Sequence, residues 1–66
     1  MQLIINGEPR EFSDSLTLSG LMDQLGMRGD RLAVELNRDI VPRQRWAETL
    51  LRDRDRLEIV HFVGGG

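Results

Sequence analysis

A chain of 66 residues can close one hydrophobic core but not a second. It has no cysteine and a single histidine, which excludes a disulfide framework and a zinc site built from thiolates. The formal net charge is -2, and all nine basic residues are arginines interleaved with acidic ones, a pattern that disfavours nucleic-acid binding. The first residues show neither a signal-peptide pattern nor an apolar run that could span a bilayer, so we expect a cytoplasmic protein.

The first predicted element is a β-hairpin. Apolar and polar positions alternate over residues 1–5, and Asn6-Gly7 is a strong signal for a two-residue turn. A second strand is expected near residues 8–12, with Pro9 at a sheet edge because proline cannot donate a hydrogen bond to a neighbouring strand. The residues predicted to face inward are Met1, Leu3 and Ile5.

One amphipathic helix is predicted next. Thr17 can cap its start and Gly26 can end it in a left-handed conformation. Gly20 inside the helix should cost about 1 kcal/mol relative to alanine. The apolar residues that share one helical stripe are Leu18, Leu21, Met22 and Leu25.

Three further strands are predicted in the second half of the chain. After a polar turn at 28–31, residues 32–36 alternate as a strand, and the pair 40–41 forms a short one. Residues 46–51 are predicted to be irregular or a single helical turn, and residues 57–63 are strongly β-prone. The positions predicted to face inward are Val34, Leu36, Leu57 and Ile59.

The element order is strand, strand, helix, strand, short strand, strand. This order predicts an α+β fold of the ubiquitin-like β-grasp type, a mixed sheet of four to five strands with one helix packed across one face. We assign residues 1–63 to this domain and residues 64–66 to a flexible C-terminal glycine tail.

Residues that could catalyse a reaction are scarce, so the chain is not predicted to be an enzyme. His61 has no sequence neighbour that would orient it as a general base, and a structural or interface role is favoured. Asp53 and Asp55 alternate with arginines, which favours a solvated turn over a metal site. Trp46 could stack on a base, but no second aromatic residue accompanies it, and packing is favoured.

The C-terminal tail is the candidate reactive site. The last strand runs directly into the glycines, and Val63 to Gly66 could extend roughly 13 Å at about 3.3 Å per residue. Without Cβ atoms, Gly64 and Gly65 can pass through a narrow channel of another protein. The carboxylate of Gly66 is a poor electrophile while ionised, so it would need activation.

The chain resembles the ThiS-type sulfur carriers of thiamine (thiazole) biosynthesis over essentially its whole length. The resemblance is carried by the segment 37–47, by Thr17 before the helix and by the terminal Gly65-Gly66. Gly20 replaces an acidic residue that is common in the family. Arg54 stands where the family often has glycine, which predicts a strained or rearranged turn.

The resemblance implies a carrier that acts as a cosubstrate. A ThiF-like adenylating enzyme would convert the Gly66 carboxylate into an acyl-adenylate, and a sulfur donor protein would then turn it into a thiocarboxylate. That sulfur would be used by thiazole synthase. ATP and magnesium would belong to the activating enzyme, so no cofactor and no metal is assigned to this chain.

The sheet face away from the helix is the candidate partner-binding surface. Strand alternation sends Ile4, Val60 and Phe62 to this face, where no helix of the chain can cover them. Because first and last strands are neighbours in a β-grasp fold, we expect one apolar patch near the tail, and exposed patches of this kind often mark interfaces.

Three alternative functions remain open at this point. The small subunit of molybdopterin synthase and a ubiquitin-like protein modifier would use the same terminal carboxylate. A non-catalytic β-grasp interaction module would not need it, so blocking the C-terminus would leave that function intact.

Overall fold

The computed structural model describes residues 1–27 and 31–62. The predicted hairpin is confirmed: β1 (Gln2–Ile5) and β2 (Glu8–Glu11) pair antiparallel. They are joined by Asn6 and Gly7, whose φ angles of 50° and 84° are those that a tight hairpin turn requires. Most of the predicted polar turn at 28–31 lies outside the described residues.

The predicted helix is confirmed as α1 (Leu18–Gln24). The Thr17 hydroxyl accepts a hydrogen bond from the Gly20 N–H at 3.0 Å, and Gly26 adopts a φ of 70° after the helix. A Cβ built on Gly20 would lie 2.9 Å from Cδ1 of Leu16. Glycine at this position therefore lets the Leu16 side chain pack against the first turn.

The remaining elements are β3 (Leu32–Leu36), β4 (Asp39–Ile40), a 3₁₀ helix (Arg43–Glu48) and β5 (Arg56–His61). The predicted bounds of three elements were wrong. The short strand lies at Asp39–Ile40, one residue earlier than the predicted pair 40–41. The helical segment begins three residues earlier than predicted, directly after Pro42. The Pro42 carbonyl accepts a hydrogen bond from the Arg45 N–H. The last strand begins and ends earlier than 57–63.

The five strands form one mixed sheet in the order β2-β1-β5-β3-β4. β1 and β5 are parallel, whereas the other neighbouring pairs are antiparallel. The sheet confirms the predicted β-grasp arrangement, with the first and last strands side by side. Pro9 lies on the edge strand β2, as predicted.

The core lies between the helices and one face of the sheet. Trp46 belongs to it, with 6% of its surface exposed and its indole N–H donating to the Val41 carbonyl at 2.8 Å. Packing rather than base stacking is therefore the role of this residue. The buried apolar residues are Leu3, Ile5, Leu16, Leu18, Leu21, Met22, Leu32, Val34, Trp46, Leu51, Leu57 and Ile59.

The turn before β5 has a strained backbone. Arg54 has a φ of 70°, a left-handed conformation that costs a non-glycine residue about 1–2 kcal/mol. Asp53 accepts from the Gln2 N–H at 2.7 Å, and Asp55 accepts from the Arg52 N–H at 2.8 Å. The strain predicted at Arg54 is confirmed, and both aspartates serve the turn.

Candidate functional site: the open sheet face and the end of β5

The side chains of β5 and of Phe62, the residue that follows it, lie in two different environments. Leu57 and Ile59 face the helix and are 1% and 6% exposed, whereas Val60 and Phe62 are 52% and 49% exposed. The alternation confirms the inward prediction for the first pair and the outward prediction for the second. No helix among the described residues packs against the outer face, which we call the open face.

The end of β5 is held on the β3 side. Val60 lies opposite Ala33 in the antiparallel register, and the Phe62 N–H donates to the Arg31 carbonyl at 3.1 Å. The predicted reactive tail, Val63 to Gly66, lies outside the described residues. Phe62 is therefore the last residue whose placement bears on the site.

The prediction of one apolar patch was wrong in one respect, because Ile4 does not lie next to Val60. The parallel register sets Ile4 beside Arg56, four residues before Val60 on β5. At about 3.3 Å per strand residue, that is a separation of roughly 13 Å along the sheet. Glu58 occupies the open-face position between them. Ile4 is also only partly exposed, whereas Val60 and Phe62 are more exposed and closer to the tail.

An acidic pair next to Val60 was missed by sequence reasoning. Glu35 of β3 lies directly opposite Glu58 of β5, and Ile40 of β4 lies opposite Glu35 on its other side. Within residues 1–27 and 31–62, neither carboxylate has a hydrogen bond or ion pair. Like charges that face each other across strands destabilise a sheet. Alternation already placed Glu58 on the open face, but its pairing with Glu35 depends on the register.

The Asn6 side chain extends the contact between β1 and β5. Its amide donates to the Ile59 carbonyl at 3.2 Å, and its carbonyl accepts from the Ile59 N–H at 2.8 Å. Asn6 has turned away from β1 into the hairpin, so its side chain supplies the bonds that a further strand residue would make. This second role of Asn6 was also missed, because the turn signal explains the residue by itself.

Two features are absent from the described part of the chain. No group of three or more histidine, aspartate or glutamate residues there could hold a metal ion. No helix there is long and apolar enough to cross a membrane.

Comparison with known proteins assigns the family. The sequence profile of the ThiS family matches residues 3–66. The chain belongs to the ThiS family. It is 38% identical to the sulfur carrier protein ThiS of Bacillus subtilis over 65 residues, which cover 97% of this chain and 98% of that protein. The crystal structure of ThiS from Geobacter metallireducens superimposes with a TM-score of 0.88 at 32% identity, with full coverage of both chains.

A second kind of relative is much longer than this ThiS chain. The chain is 48% identical over 66 residues to a thiazole synthase of Paramagnetospirillum magneticum. The match covers all of this chain and 20% of that protein. A domain similar to the whole ThiS chain therefore occurs as one fifth of a larger protein named thiazole synthase.

Proposed function

We propose that this chain is a sulfur carrier for thiazole formation in thiamine biosynthesis, and that its reactive group is the Gly66 carboxylate. The observation that carries the proposal is the family match, which extends to the last glycine. The full-length similarity to a sulfur carrier protein of B. subtilis supports the same function. The chain acts as a cosubstrate in the cytosol and is not itself a catalyst.

The chemistry starts from an ionised carboxylate, which resists nucleophilic attack. An adenylating enzyme of the ThiF type transfers AMP from ATP to Gly66 and releases pyrophosphate, which gives the carbonyl carbon a good leaving group. The outer sulfur of a protein persulfide attacks this carbon, and AMP leaves. A thiol then reduces the resulting sulfur–sulfur bond, so that the carrier ends in a thiocarboxylate.

The partners in this proposal are the adenylating enzyme, a sulfur donor protein and thiazole synthase. Val60 and Phe62 offer these proteins an exposed apolar surface close to the tail. Glu35 and Glu58 lie beside it, and Arg38 and Arg56 line the same hollow, so this part of the surface offers charges of both signs to a partner. Ile4 contributes at most a peripheral contact, given its distance from that surface.

Intact-mass measurement tests the proposed function. The chain is incubated with ATP, magnesium, a ThiF-like enzyme and a persulfide donor. We expect its mass to rise by the difference between one sulfur and one oxygen atom, with the change confined to the C-terminal peptide. An unchanged mass, with an enzyme that modifies its own carrier under the same conditions, would contradict the proposal.

A chain with one alanine appended after Gly66 is the matched control. It keeps the fold, the open face and a terminal carboxylate, but it moves the carboxylate by about 3.3 Å. We expect its adenylation rate, measured by pyrophosphate exchange, to fall on the order of a hundredfold, because displacement by about 1 Å already has effects of that size. Exchange at the rate of the unextended chain would show that the position of the carboxylate does not matter.

A further inference from the structure

One edge of β5 becomes open near its end. On the β1 side, the Asn6 N–H donates to the Leu57 carbonyl at 2.8 Å, and on the β3 side the Phe62 N–H donates to the Arg31 carbonyl at 3.1 Å. Backbone groups of successive strand residues point to opposite edges. The N–H and C=O of His61 therefore point toward the β1 side.

In the described part of the chain, no strand occupies that side at the level of His61. β1 ends at Ile5, and the Asn6 side chain satisfies both backbone groups of Ile59. Among residues 1–27 and 31–62, none forms a hydrogen bond with the backbone of His61 on this edge. The two backbone groups are left for water or for a partner.

The two outer edges of the sheet are protected, in contrast to this one. β2 exposes Pro9, which has no N–H, and otherwise carries charged residues. β4 consists of Asp39–Ile40 alone and carries the charged Asp39. Around His61 there is no such protection, because the flanking open-face residues are Val60 and Phe62. Natural sheets block exposed edges against unwanted pairing, and an unblocked edge is a template for an added strand.

We propose that an extended segment of thiazole synthase pairs with His61 as an added strand, in the position that β1 would occupy if it continued. Its backbone bonds to the N–H and C=O of His61, and an apolar side chain lies against Val60 or Phe62. This inference rests on the proposed function. The choice of partner follows from the thiazole synthase of P. magneticum, in which a domain similar to this chain is part of the same protein.

Strand addition at this place would orient the tail. His61 precedes the reactive Gly66 by five residues in the sequence. Pairing on its free edge, together with the existing β3 contact at Phe62, would hold the end of β5 from both sides. The direction in which the chain leaves the sheet is then set by the partner that receives it.

A backbone substitution tests the proposal without changing any side chain. Chemical synthesis can replace the amide between Val60 and His61 by an ester, which removes the His61 N–H and makes the Val60 carbonyl, on the β3 side, a weaker acceptor. The matched control replaces the amide between Arg10 and Glu11. The Phe12 N–H donates to the Met1 carbonyl at 2.8 Å and therefore points toward β1. The N–H of Glu11, one residue earlier, points away from β1 at the outer edge of β2. Both removed groups face solvent in the free chain, so both chains should fold.

Binding to purified thiazole synthase is measured by calorimetry with the unmodified carboxylate. We expect the ester at His61 to weaken binding about two- to tenfold, and the ester at Glu11 to leave it unchanged within about twofold. Equal affinities of the two ester chains would overturn the proposal. This result is separate from the mass measurement above, which uses the adenylating enzyme and Gly66 and can fail or succeed independently.

Amide hydrogen exchange of the unmodified chain gives a second readout that needs no synthesis. On addition of thiazole synthase, exchange of the His61 amide should slow by about tenfold or more, while that of Glu11 stays as in the free chain. Unchanged exchange at His61 in a saturated complex would overturn the proposal even if the ester chain failed to fold.

Discussion

Ile59 and Val60 are neighbours on β5, but their side chains lie in different surroundings. Ile59 is 6% exposed beneath the helix, whereas Val60 is 52% exposed on the open face. Both are β-branched and suit a strand equally well. The difference shows that one strand serves two purposes: its inner face holds the domain together, and its outer face remains available near the tail.

The largest expected effect comes from placing threonine on both faces. Ile59→Thr replaces a buried ethyl group by a hydroxyl, which should lower the free energy of unfolding by about 2–4 kcal/mol. Val60→Thr keeps the β-branched shape at an exposed position and should change the free energy of unfolding by less than about 0.5 kcal/mol. Urea unfolding followed by circular dichroism measures both. Equal losses of unfolding free energy in the two variants would mean that Val60 stabilises the fold as much as Ile59 does.

Partner binding should depend on the part of the open face that lies near the tail. Phe62→Asp places a charge in the exposed apolar surface beside the tail, and we expect affinity for the adenylating enzyme to fall on the order of tenfold. Ile4→Asp is the matched control on the same face, beside Arg56, and should lower affinity by less than about threefold. Thermal melts should show that both variants stay folded. An equal loss for Ile4→Asp would extend the interface across the whole face.

The smallest expected effect is in the turn before β5, at the opposite end of this strand from Val60 and Phe62. Arg54→Gly relieves a φ of 70° and should raise the free energy of unfolding by about 0.5–1 kcal/mol after the entropic cost of glycine is subtracted. Arg52→Gly, two residues earlier and without a positive φ, should lower it by a similar amount. The yield of thiocarboxylate should not change in either variant. A loss of stability in Arg54→Gly would show that the side chain of Arg54 outweighs its backbone strain.

Much of the fold follows from local patterns in the sequence. Asn6-Gly7 predicts the hairpin, Thr17 and Gly26 delimit the helix, and alternation identifies the buried and exposed sides of β5. These predictions were right because they depend on backbone geometry and on residues a few positions apart. The bounds of the 3₁₀ helix were less predictable, since Pro42 can either end a strand or begin a helical turn.

The candidate site was likewise predictable only in part. The sequence by itself determined the glycine tail, the resemblance to the ThiS family and the exposure of Val60 and Phe62. Tertiary structure alone decided that Ile4 lies beside Arg56 and that Glu35 faces Glu58. Strand register joins residues more than twenty positions apart, and a shift of two residues would preserve every buried face while changing every neighbour. For that reason the composition of the open face could be predicted, but the arrangement of its residues could not.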